Sequence, residues 1–132
     1  MIMGFLIHTV EGGHVPAFEY HPVSAIKPEV GMALAFSSGK LAKAGATVKP
    51  EFICMMEAKE AMSAGDIIPV IRVTPDVTFG VPTSVANTVA LGSKVTIASD
   101  AMNVTATTDS GVAKIVGRDG TKVGDIQYVR FE

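Results

Sequence analysis

Three histidines, His8, His14 and His21, fall within residues 8–21, with Glu11 and Glu19 between them. They form the densest set of potential metal ligands in the chain. A zinc site needs its ligands at short fixed spacings, such as two histidines one helical turn apart. No such spacing occurs here. Folded as a hairpin, some of these ligands could meet, but Gly12, Gly13, Pro16 and Pro22 interrupt the segment and leave its register unset. These side chains read as solvated or interface groups on an N-terminal arm, and no metal site is assigned. Cys54 lies in EFICMM among apolar neighbours. A catalytic thiol needs a histidine partner and an electropositive setting. Cys54 reads instead as a small buried hydrophobe. A single cysteine makes no internal disulfide, so the fold does not rely on oxidation.

The remaining chemical motifs fail on spacing. SSGK at 37–40 suggests a phosphate loop, but that motif needs a glycine five residues before its Gly-Lys pair and Ser or Thr after the lysine. Those positions hold Leu34 and Leu41. There is no Gly-x-Ser-x-Gly elbow and no Asp-rich calcium loop. The carboxylates are spread singly, mostly beside turns, with no glycosidase pair in view. Lipoyl and biotinyl carrier domains are also small, all-β and internally repeated, with a modified lysine in a tight hairpin. Lys40 follows a glycine and has no methionine beside it, so that carrier is the alternative reading. Met32, Met55, Met56, Met62 and Met102 read as core filling before they read as a soft binding surface. No catalytic residue, cofactor site or metal site is assigned, and the chain reads as a non-enzyme.

The bulk numbers point the same way. Lys and Arg number 11 in 132 residues and never form a run, and the formal net charge is −2. That excludes the clustered basic face of a nucleic-acid binder and the polybasic patch of a membrane-surface protein. No apolar run approaches the ~18 residues that span a bilayer. MIMGFLIHTV lacks a basic start and a cleavage site, so no signal peptide is expected. The Asn103-Val104-Thr105 sequon is then a chance match. Charged residues make up 18% of the chain, against a typical ~25%. Mean hydropathy is +0.38. In so small a chain, this excess of apolar groups points to a surface that meets a partner.

The elements that must position any site are strands. Thirteen glycines and seven prolines punctuate short runs rich in Val, Ile, Thr and Phe. Phe5–Val10 reads as a strand and EGGH (11–14) as a turn. Pro16 and Pro22 make the next stretch an edge or an arm. MALAF (32–36), Ser37-Ser38-Gly39 and KLAKA (40–44) read as a hairpin. EFICMM (51–56) and DIIPVIRV (66–73) read as strands, the latter near an edge because of Pro69. EAKEAMSA (57–64) is at most one helical turn. Residues 74–91 read as a crossing segment with a short strand at Val77–Gly80. KVTIA (94–98), MNVTATT (102–108), VAKIVG (112–117) and IQYVRF (126–131) read as strands, the last one central.

Two stretches echo each other. GDIIPVIRV begins at Gly65 and GDIQYVRFE at Gly124. Upstream, VGMALAFSSGKL and LGSKVTIASDAMNV share an apolar-Gly pair, a strand, a turn and a return strand. Gly65 lies 34 residues after Gly31, and Gly124 lies 32 after Gly92. The expectation is an all-β fold of two pseudo-repeated small antiparallel sheets or partial barrels. Such sheets are marginal alone and must pack together. The expected divisions are an N-terminal arm or hairpin (1–28), a first β unit with the crossing segment (29–90) and a second β unit (91–132).

VGMALAFSSGKLAKAG, followed by PEFICMMEAKEAMSAGDIIPVIRVTPDVTFGVP, resembles the small capsid decoration, or cement, proteins of tailed phages and prophages. The resemblance covers about residues 28–82 and rests on strand and turn order; residues 91–132 fit more loosely. It implies an all-β structural protein of the virion, made in the bacterial cytoplasm. Its partner would be the major capsid protein or another virion protein, and it would form a homo-oligomer, often a trimer. It implies no cofactor and no catalytic residue. The histidine-bearing N-terminal segment and the shorter second unit depart from the pattern, which leaves a head fibre or tail part as a further reading.

Overall fold

The computed structural model describes residues 4–132. Among these there are ten strands, a single 3-10 turn at Glu11–Gly13 and no α-helix. The strands are β1 (Leu6–Val10), β2 (Phe18–Pro22), β3 (Ala33–Ser37), β4 (Lys40–Lys43), β5 (Phe52–Cys54), β6 (Ile67–Arg72), β7 (Val77–Pro82), β8 (Lys94–Val95), β9 (Ala113–Arg118) and β10 (Ile126–Arg130). They form two antiparallel five-stranded sheets, ordered β2-β6-β5-β3-β4 and β1-β7-β10-β9-β8. The sheets pack together, and neither closes into a barrel.

Local rules explain most elements. In β6, Ile68 and Val70 are buried while Ile67 is exposed and Pro69 half-buried, the period-two pattern of a strand. The pattern ends at Ile71, which is also buried, and Arg72, which is exposed on the face of Ile68 and Val70. Ser38 and Gly39 both have positive φ, which is what a two-residue hairpin turn requires. At the echoed Gly-Asp pairs the turns are built alike. Asp66 N donates to the Ser63 carbonyl and Asp125 N to that of Lys122, each at 3.0 Å. The two carboxylates accept from the N–H of Ser63 and of Lys122, also at 3.0 Å. Gly65 and Gly124 have φ of 96° and 89°, a conformation that costs glycine no Cβ clash.

The echo extends through the hydrogen-bond pattern and begins earlier than Gly31. Gly31 N donates to Cys54 O and Gly92 N to Ile115 O; Glu51 N donates to Leu34 O and Val112 N to Val95 O. Pro22-Val23-Ser24 matches Pro82-Thr83-Ser84: Val23 N bonds Asp66 O, and Thr83 N bonds Asp125 O. Ser24 and Ser84 each use both N–H and hydroxyl on one carbonyl, that of Leu41 and that of Val104 respectively. Thus β2, inside the expected arm, is the first strand of the first sheet. β7, inside the expected crossing segment, is its counterpart in the second. β4 is echoed only by the isolated bridge at Val104, and β1, which lies along the outer edge of β7, has no counterpart.

Residues 57–64 stay within the expected limit of one helical turn and form none: there is a bend at Lys59–Glu60, and a turn begins at Ala64. Two sequence expectations are corrected. The strand expected at Val77–Gly80 extends to Pro82 and is wholly buried. The strands expected at 94–98 and 102–108 make an irregular hairpin, with one bridge between Ile97 and Val104. β10 takes the middle of its sheet, as expected. β6 is second from an edge, and Pro69 sits at the end of its pairing with β5: Met55 N donates to Pro69 O (3.0 Å), and the proline has no N–H to return the bond.

One hydrophobic cluster runs through both sheets. Met32, Cys54 and Met102 are in it, and Met55, Met56 and Met62 pack partly buried against it. Phe5 fills the interior beside the second sheet, its ring 6.4 Å from Phe79 and 5.5 Å from Phe131. Its N–H donates to Gly31 O while Gly4 N donates to Met102 O, so the segment ties both halves.

Candidate interaction surface

The histidines do not converge. His8 lies in β1 of the second sheet, His21 in β2 of the first, and His14 in the loop between them. Among the described residues, no three His, Cys, Asp or Glu side chains are grouped to hold a metal ion. Cys54 is fully buried, and its thiol donates to Met56 O (3.2 Å). Burial pushes that thiol's pKa up, so the thiolate is disfavoured. Lys40 is paired with Ser37 at the base of its hairpin, one residue past the tip at Ser38-Gly39.

His21 belongs to a cluster at one opening of the first sheet. Arg72 makes a bidentate pair with Glu19, both bonds at 2.9 Å, and lies over Phe52 at 4.9 Å. His21 Nε2 is 3.0 Å from Glu19 Oε1, the oxygen that Arg72 Nη2 also bonds. Its ring packs against Phe36 and Phe52 at 5.4 and 4.8 Å. The Arg72 bonds, then the His21 bond, hold the Glu19 carboxyl below the ordinary range. By the register of the repeat, Glu19 and His21 correspond to Phe79 and Val81 in the second sheet. There Phe5 completes an apolar interior; here an ion pair closes it.

The opposite faces of the two sheets also differ. In the second, His8 is the extra residue of a bulge between Ile7 and Thr9. Its ring stacks at 4.1 Å on Tyr128. The Tyr128 phenol donates to both Asp119 oxygens, at 2.9 and 3.0 Å. That bond raises the tyrosine's pKa, which keeps the phenol neutral. Tyr128 lies across Gly80 and Gly117, the glycines opposite it on β7 and β9. A shallow cavity of about 200 Å³ is left between this group and Leu6, Ile7 and Ile126.

In the first sheet the corresponding face is covered over Ile71 but open along Phe18, Tyr20 and Ile67. Tyr20 pairs with Pro69, Pro22 with Ile67 and Phe18 with Ile71, so these side chains share a face. Phe18, Tyr20 and Ile67 are 53%, 64% and 57% exposed. Adjacent exposed aromatic and aliphatic side chains on two strands are the composition of an interaction surface. No side chain of this row is charged. The sequence placed interface residues on the N-terminal arm but did not single these out. The Pro-Val-Ser and Pro-Thr-Ser echo would have found them, by aligning β2 with β7 and exposing its missing cover.

No protein-family model matches the chain, and no curated protein matches it.

Proposed function

We propose that this chain is a non-enzymatic structural protein of a phage virion that binds and stabilises an assembled capsid. The observation that carries the reading is the uncharged row of Phe18, Tyr20 and Ile67, exposed on two adjacent strands. A reinforcing protein needs such a surface, because it gains its hold by covering apolar area on a lattice. The resemblance of residues 28–82 to capsid decoration proteins supports the same class. In this reading the partner is the major capsid protein or another virion protein. The chain also associates with itself, with a trimer favoured.

The test is co-sedimentation of the purified protein with emptied, expanded shells of tailed phages, followed by heating of the decorated shells. Saturable binding that raises the shell's melting temperature is the expected result, with Tyr20→Lys and Ile67→Lys binding at least roughly tenfold more weakly, the scale of a lost hot-spot contact. A protein that remains monomeric and binds no shell lattice overturns the reading.

A further inference from the structure

We infer that the outer edge of β2 receives an extended segment of another polypeptide, which adds antiparallel to the first sheet as a sixth strand. The inference deepens the proposed function, since it names how the exposed surface engages its partner. It is carried by a comparison that the molecule makes within itself.

β2 and β7 are equivalent strands. Each is hydrogen-bonded on its inner side to the strand that follows a Gly-Asp turn, β6 or β10. Each ends in Pro-x-Ser, with the next residue but one bonded alike. The outer edge of β7 is occupied: β1 runs antiparallel along it, with Leu6 opposite Gly80 and Thr9 opposite Thr78. By register, Gly80 and Thr78 correspond to Tyr20 and Phe18. The outer edge of β2 carries no strand among the described residues.

The backbone orientation fits. Val23 N bonds Asp66 O, so Val23 faces β6, and with it the alternate residues His21 and Glu19. Phe18 and Tyr20 therefore direct N–H and C=O outward, while at Pro22 the open stretch ends, because Val23 bridges Leu41 of β4 there. Pro82 holds the same position on β7, just beyond the stretch that β1 covers. The outward groups of Phe18 and Tyr20 thus match those of Thr78 and Gly80 that β1 covers, and β1 reaches one position further, where Glu11 N donates to Asp76 O.

Natural edge strands are blunted by charge, most often by lysine. The edge-facing residues Phe18 and Tyr20 carry none. Glu19 and His21 turn away into the Arg72 cluster. The fitting occupant is an extended, proline-free segment with apolar or β-branched residues opposite Phe18 and Tyr20. Its backbone supplies the hydrogen bonds and its alternate side chains cover the two rings, the usual mode of strand addition.

The experiment uses the intact protein and a synthetic peptide of this chain's own residues 5–11, FLIHTVE, as the surrogate strand. Hydrogen exchange of the Phe18 and Tyr20 amides is followed by NMR. At a peptide concentration about ten times Kd, exchange at both should slow roughly tenfold, since only the free fraction exchanges. A peptide N-methylated on alternate residues should leave them unprotected. Tyr20→Pro, which removes an outward N–H and no bond to β6, should abolish peptide binding. Tyr20→Lys, which keeps the whole backbone, should weaken it. Unchanged exchange at saturating peptide overturns the inference. Protection that arises without peptide and grows with protein concentration also overturns it, because two copies then pair through β2. No capsid enters this assay. Peptide binding without capsid binding removes only the proposed function, and capsid binding by Tyr20→Pro removes only the strand-addition inference.

Discussion

At the scale of single residues, Glu19 and Cys54 are each held by contacts within the fold. Glu19 is the clearest case. Its folded pKa is lowered by Arg72 and His21, so the ionised form stabilises the fold above the ordinary glutamate value of 4.5. That contribution is lost as pH falls through the lower, folded value. Urea unfolding between pH 7 and pH 3 should therefore show Glu19→Gln losing its deficit against the parent as the medium becomes acidic. A deficit that stays constant with pH would mean the pair contributes by packing alone. Cys54 gives a second test. Buried with its pKa raised, it should resist iodoacetamide in the folded protein and react at once in denaturant. The setting of Cys54 was legible in the sequence, and the ion pair of Glu19 was not. An apolar neighbourhood is visible in EFICMM, whereas Arg72 is 53 residues from Glu19 and no local rule joins them.

At the scale of elements, the Gly-Asp turns carry the repeat. Removing either carboxylate frees the N–H that it accepts. Asp66→Ala and Asp125→Ala should each cost about 1 kcal/mol, the usual worth of one such hydrogen bond, measured from the shift in urea midpoint. β10 is the more demanding element. It is the middle strand of its sheet, and Val129 and Phe131 are fully buried. Deleting residues 128–132 should unfold the second sheet, read as loss of its amide protection in hydrogen exchange; a truncated chain that kept that protection would contradict the repeat. These strands were legible because period-two alternation and Gly-Asp turns are local signals. The irregular hairpin at 94–108 was overdrawn because its Thr-rich stretch has strand propensity without a regular partner.

At the scale of the whole molecule, the N-terminal segment is a fastener. Gly4 passes so close to Gly31 that an added Cβ would lie 2.7 Å from its carbonyl oxygen, and Phe5 is buried between Phe79 and Phe131. Phe5→Ala should cost about 3–5 kcal/mol, the range for a fully buried aromatic side chain. If both halves depend on this contact, thermal unfolding should stay a single transition and move down as a whole. By contrast, Tyr20→Lys should change stability by no more than about 0.5 kcal/mol, as expected for an exposed site, while weakening whatever covers that face.

By itself the sequence determined the class of the fold, the position of most strands and the pairing of two similar halves. It did so because alternation, turn glycines and proline are read over a few residues. Tertiary structure alone decided three things. It placed β7 in the second sheet, laid β1 on the edge of β7, and left the equivalent edge of β2 open. Leu6 meets Gly80 and Phe5 meets Phe131 across separations that no periodicity spans. The physical reason is that a strand's pattern states which of its faces is apolar, but not which other strand satisfies its edge. That choice depends on which surfaces remain uncovered once the rest of the chain has packed.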